Sequence, residues 1–138
     1  MTYPTETLAY TAGIFDGEGS VNITCDADRR HYLRATVTNT NEPLLSWLRN
    51  EFGGNVRTLK TPTELTRKSC YTWSINGSES KIFLEKIFPF VKVKKEQITL
   101  ALSYPVKRWG QHCSPVERKT REEMYIKMRQ LNRGGIIR

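Results

Sequence analysis

Two runs of strict alternation constrain this chain more than any other feature. In SVNITCD (20–26) the apolar Val21, Ile23 and Cys25 alternate with Ser20, Asn22, Thr24 and Asp26. In HYLRATVTN (31–39) Leu33, Ala35 and Val37 alternate with Tyr32, Arg34, Thr36 and Thr38. A period of two belongs to a strand buried on one face only. The short ADRR between the runs predicts a turn, so the two strands pair as a hairpin with a polar open face. A helix over about 5–17 precedes the hairpin, stopped by Gly17 and Gly19. Another follows it, with Asn41 as cap, Leu44, Leu45, Leu48 and Phe52 as its apolar stripe, and Gly53 and Gly54 as a left-handed stop. The same order then repeats, with strands at about 55–60 and 69–76 and a helix from about 78 to Phe88, closed by Pro89. Two further helices are predicted, one from Lys94 to Tyr104 and one opened by SPVE (114–117), which has the spacing of a capping box. The pattern is α+β: a helix, then strand–strand–helix twice, then helices.

A length of 138 residues suits one domain with a single modest core. The net charge of +8 favours a polyanionic partner. Six of those charges fall in residues 104–138, where nine Lys or Arg face three acids. The three cysteines (Cys25, Cys70 and Cys113) form no CxxC, which argues against a disulfide framework and against structural zinc. No apolar run reaches the roughly 20 residues that span a bilayer, and the N-terminus has no signal-peptide pattern. The expectation is a soluble, intracellular protein with no membrane partner.

The stretch AYTAGIFDGEGS (9–20) carries the chemistry. On a helix Ala9, Gly13 and Gly17 form one stripe of small residues, while Leu8, Ala12 and Phe15 form a second that faces the chain's own core. A small-residue stripe permits close helix contact, and the simplest partner is the same helix in a second copy across a two-fold axis. Ala9, Ala12, Gly13 and Gly17 are accordingly the candidate dimer contacts. That symmetry brings Glu18 close to Glu18 of the second copy. Two such carboxylates repel, and a hard divalent cation relieves the repulsion. Held beside a phosphodiester, such a cation activates water and stabilises the leaving oxygen. Taken alone, DGEG also reads as an ordinary helix-ending turn.

The run TAGIFDGEG (11–19) resembles the LAGLIDADG motif of the homing endonucleases, and the order of elements from about 5 to 104 is similar to that family's core. The resemblance implies an αββαββα core with a four-stranded antiparallel sheet, a saddle covered on one face by helices. Residues 1–138 then form one such domain, with a basic helical extension from about 105 to 138. A single motif is similar to that of the homodimeric members. The resemblance further implies a site-specific double-stranded DNA endonuclease that hydrolyses one phosphodiester per strand across the minor groove of a long, near-palindromic target. Short 3′ overhangs and a gene carried in an intron or intein-like element go with that reading. By position Glu18 matches the catalytic acid that binds the metal, and Gly17 the residue whose carbonyl helps to ligate it. The implied ion is Mg²⁺, with Mn²⁺ or Ca²⁺ able to substitute in binding. Lys94 resembles a lysine placed near the scissile phosphate, and Asn39 stands where a polar amide orients the attacking water. Asn39 is equally suited to a strand-end turn, and Lys94 to a solvated lysine run. Thr11 departs from the usual leucine, and Glu18 replaces an aspartate.

The open face of the sheet supplies the candidate DNA-binding residues: Asn22, Thr24, Asp26, Tyr32, Arg34, Thr36 and Thr38 from the first strand pair, and Arg57, Cys70 and Thr72 from the second. Arg29, Arg30, Lys60, Arg67 and Lys68 stand at the hairpin tips. Such a ribbon fits a major groove, where all four base pairs are distinguishable. Lys107, Arg108, Lys119, Arg121, Lys127 and Arg129 suit phosphate contacts, and His31 beside the turn is another candidate. Two rival classes share the scaffold. One is a non-cutting maturase that binds intron RNA, the other a DNA-binding regulator indifferent to metal.

Overall fold

The computed structural model describes residues 2–27, 30–60, 69–106 and 114–134. Both alternating runs are strands: β1 (Gly19–Cys25) and β2 (His31–Asn39) pair antiparallel, with Asn22 opposite Arg34. The second pair, β3 (Asn55–Lys60) and β4 (Cys70–Asn76), joins them through β2 and β4, giving one antiparallel sheet in the order β1-β2-β4-β3. Helices α1 (Thr5–Glu18), α2 (Glu42–Phe52), α3 (Gly77–Ile87), α4 (Lys95–Leu102) and α5 (Pro115–Gly134) complete the α+β fold. No helix of the described residues is long and apolar enough to cross a membrane.

The odd-numbered residues in the middle of β1 and β2 build the core, as the period of two requires, whereas Cys25 at the end of β1 is exposed. Val21, Ile23, Leu33, Ala35 and Val37 are buried beneath Phe15, Leu45, Leu48, Phe83 and Leu84 from the helices. Trp73 of β4 is fully buried and donates from Nε1 to the Gly53 carbonyl at 2.8 Å, tying the central strand to the end of α2. The predicted caps are present: Asn41 Oδ1 accepts from Leu44 N at 3.0 Å, and Ser114 Oγ from Glu117 N at 3.2 Å. Thr11 in the leucine position of the motif is buried, with its hydroxyl satisfied by the Thr7 carbonyl at 2.7 Å.

One detail of the α2 stop differs from expectation. Gly53 has φ 89° and ψ −161°, a region that only glycine occupies readily, rather than the left-handed helical region. The next residue, Gly54, passes so close to the Ser74 carbonyl that a Cβ would collide with it. Two glycines in succession therefore serve the close approach of the chain to β4 as well as the helix stop.

Of the extension beyond residue 104, helix α5 packs onto the fold. α5 lies against β1 and α4 and contributes Met128 to the core. Arg121, on the same helix, is 9% exposed, donates to the Pro105 carbonyl at 2.8 Å and sits over the Tyr104 ring. Its guanidinium is thus committed to structure, which corrects its assignment as a phosphate contact.

Candidate active site and nucleic-acid interface

α1 ends abruptly. Gly19, extended at φ −91°, returns its N–H to the Phe15 carbonyl, and the chain enters β1 with no intervening loop. A Cβ on Gly19 would collide with the Phe15 ring, itself fully buried and edge-on to Phe83 at 5.8 Å. Glycine is required here by space. Gly19→Ala is expected to cost about 1–3 kcal/mol, read as a fall in thermal midpoint. The corner leaves Glu18, the last helical residue, exposed.

Asp16 holds the next piece of the site. Its carboxylate accepts from the backbone N–H groups of Lys92 (2.8 Å), Val93 (3.1 Å) and Lys94 (3.3 Å). In return Lys94 Nζ donates to the Asp16 carbonyl at 3.2 Å. The ammonium thereby caps the negative end of α1, where a cation is favoured, and it sits in the same helical turn as Glu18. Sequence reasoning assigned Asp16 nothing. Its only advance signal was an acid at a helix end with no local partner. Asp16→Ala strips an anionic acceptor from these N–H groups. The expected result is a loss of about 2–3 kcal/mol of stability together with misplacement of Lys94. A thermal melt checks the first effect and the rate of chemical labelling of the Lys94 amine the second.

Asn39 closes β2 two residues past the Gly19–Val37 rung, on the strand that abuts the end of α1. Its Oδ1 accepts from Asn41 N at 2.8 Å, the turn role that the sequence left open. The Nδ2 group is not used in that bond.

α1 turns its small residues outward. Ala9, Gly13 and Gly17 are exposed, and a Cβ built on Gly13 or Gly17 would meet nothing within 4 Å among the described residues. Ala12 does not belong with them. It is fully buried in the chain's own core and offers no surface to a partner, which corrects its place among the dimer contacts. Tyr10, which sequence reasoning passed over, is 59% exposed on this face and stands edge-on to Trp47 at 5.6 Å.

The opposite side of the sheet carries most of the predicted reading residues. Asn22, Thr24, Tyr32, Arg34, Thr36, Thr38 and Cys70 are half-buried, as expected for neighbours packed along a pleat, and Arg57 is exposed. Arg34 Nε is covered and has no partner among the described residues. Three assignments need correction. Thr72, opposite Thr38 and Arg57 on a central strand, is only 7% exposed and its hydroxyl lies 3.1 Å from that of Thr38. Asp26 falls beyond β1, where its carboxylate accepts from Arg30 N at 2.9 Å and pairs with the Arg30 guanidinium at 3.4 Å, so both residues close the hairpin. His31 is on the helix side of β2, beside Tyr125 and 3.1 Å from Glu122 of α5, and is not positioned for a phosphate on the open face. Lys119, Lys127 and Arg129 are exposed on α5. Arg29, Arg67, Lys68, Lys107 and Arg108 lie outside the described residues, as does the side chain of Lys60.

The donors at the α1 corner are hard oxygens, a carboxylate and helix-end carbonyls, which suit Mg²⁺ or Ca²⁺ rather than a soft metal. Among the described residues no group of three or more His, Cys, Asp or Glu could hold a metal ion.

A four-stranded antiparallel sheet with a polar open face and helices on the other is the fold of the LAGLIDADG homing endonucleases. The structural matches to that group are strong. The homing endonuclease I-CvuI, seen with DNA targets in Mg or Ca, superimposes with a TM-score of 0.72 at 20% identity, covering 91% of this chain and 82% of its own. The archaeal intron-encoded homing endonuclease I-Vdi141I, complexed with DNA, gives 0.65 at 19% identity, covering 91% and 83%. The LAGLIDADG meganuclease I-AabMI, bound to uncleaved DNA, gives 0.56 at 18% identity, covering 94% of this chain but 40% of its own. No family model and no curated protein sequence matches the chain.

Proposed function

We propose that this protein is a site-specific, double-stranded DNA homing endonuclease that works as a homodimer with a divalent cation, Mg²⁺ by preference. The observation that carries the reading is the α1 corner, where exposed Glu18 and the Lys94 ammonium share one helix end. The chain forms one domain, with α5 as part of it.

Two features favour the dimer. Each glycine on the outward face of α1 weakens a helix by about 1 kcal/mol relative to alanine, and among the described residues nothing requires Gly13 or Gly17 to lack a Cβ. Close approach by a second helix supplies the reason. The coverage of the solved structures agrees in scale, since the chain fills about four-fifths of I-CvuI and I-Vdi141I but two-fifths of I-AabMI, which has room for two such units.

In the dimer Glu18 and the Gly17 carbonyl hold the cation. When bound, it lowers the pKa of a ligated water and neutralises charge on the phosphate. Lys94 sets a positive charge where negative charge develops, and Asp16 keeps that lysine from swinging away. Asn39 Nδ2 orients the water. The open face reads the major groove on either side, so a two-fold protein selects a near-palindromic site and cuts each strand once across the intervening minor groove. The exposed basic residues of α5 add salt-dependent affinity without sequence information. Carriage of the gene in an intron belongs to the same reading.

The test is cleavage of a library of partly palindromic duplexes with and without Mg²⁺, followed by sequencing of the cut ends. Metal-dependent cuts with one fixed stagger are expected. Sequence-selective binding with no cutting in Mg²⁺ or Mn²⁺ would replace this reading with a DNA-binding regulator, or with a maturase if structured intron RNA outcompeted the duplex.

A further inference from the structure

β1 is an edge strand, so one row of its backbone groups has no ladder partner. The end of α5 reaches that row at Val21. Asn132 donates from Nδ2 to the Val21 carbonyl at 2.9 Å, and the same nitrogen lies 3.3 Å from Asn22 Oδ1. A carbonyl can only accept, so it is the NH₂ end of the Asn132 amide that faces β1. The atom of Asn22 that meets it must be an acceptor. This turns the Asn22 oxygen toward α5 and its nitrogen toward Ser20, whose hydroxyl accepts at 2.9 Å. A polarity that begins at a backbone carbonyl is thus handed to a side chain on the open face, in the row that contains Arg34 and Asn76.

After these bonds Asn22 keeps one N–H and one lone pair. An amide presenting a donor and an acceptor side by side complements N7 and the N6 amino group of adenine in the major groove. The reversed amide would offer the opposite order, which matches adenine on the other strand, so a fixed amide distinguishes A·T from T·A. We propose that Asn132 is a positioning residue for sequence specificity: by holding the Asn22 amide in one orientation, it makes β1 select adenine at one base pair of each half-site. This rests on the reading of the open face as the DNA-binding surface.

The experiment compares the full-length wild type with Asn22→Ala, Asn132→Ala and Asn132→Asp, the last nearly isosteric but unable to donate. Binding is measured in Ca²⁺ against single-base-pair variants of the recovered target, and the side-chain amide signals of Asn22 are followed by NMR without DNA. The wild type is expected to prefer adenine at one position by about tenfold, and all three variants to lose most of that preference there and nowhere else. In the free protein the Asn22 amide signals are expected to shift in both Asn132 variants. An Asn132→Ala protein that bound every sequence equally weakly, as a loosened α5 would produce, or that kept the adenine preference, would overturn the inference. Unmoved Asn22 signals would overturn it without reference to DNA. A wild type that discriminated no sequence while its Asn22 signals still responded to Asn132 would instead bring down the DNA reading, and the specificity role with it.

Discussion

Glu18→Gln is expected to leave DNA binding intact and to lower cleavage by about a thousandfold, or roughly 4 kcal/mol in the barrier. Among the described residues no hydrogen bond or ion pair engages the Glu18 carboxylate, so the fold loses nothing when its charge is removed. The negative end of a helix is in fact an unfavourable place for an anion. The same substitution should therefore raise stability by a few tenths of a kcal/mol, a trade of activity against stability typical of groups kept for chemistry. Parallel thermal melts, gel shifts and cleavage time courses measure all three quantities. A variant that cut at the wild-type rate would remove Glu18 from the active site.

Gly13→Leu should abolish cleavage by a different route. Leucine is a good helix former, and a side chain at this position projects into open space in the single chain, so the monomer should fold as well as before or slightly better. Against a second α1 the same side chain stands where two backbones must nearly touch. Sedimentation at micromolar concentration should show a dimer for the wild type and a monomer for the variant, with double-strand cutting lost alongside. If Gly13→Leu remained dimeric and active, the copies would have to meet through another surface, and Glu18 would have no second carboxylate beside it.

The elements were legible because their signals are local. The alternation in 20–26 and 31–39, the Asn41 and Ser114 caps and the paired glycines at 53 and 54 each report on a few neighbouring residues, and each element formed within a residue or two of its expected place. The long-range pairings were not legible. Nothing near Asp16 indicates that its partners are the backbone groups of Lys92, Val93 and Lys94, and nothing near His31 announces α5 above it. Thr72 shows the same limit on a smaller scale. Its alternation correctly puts it on the open face, but exposure there depends on the neighbours supplied by β2 and β3. For the site, Glu18 and Gly17 were marked by resemblance of the motif, and Lys94 was a lysine among lysines until its hydrogen bond to α1 singled it out.

The contacts between Asp16 and the loop before α4 join residues 76 to 78 positions apart, and the bond from Asn132 to Val21 spans 111. Closures of that length come late in folding, because the chain entropy must be lost before the contact repays it. The acid of α1 and the lysine that shares its corner are therefore distant along the chain and meet only when the fold closes. A half-folded molecule thus carries Glu18 without Lys94 beside it. If the chain is the nuclease proposed above, its acid meets the charge it works with only in the completed fold, so cutting is expected to appear together with native structure and not before it.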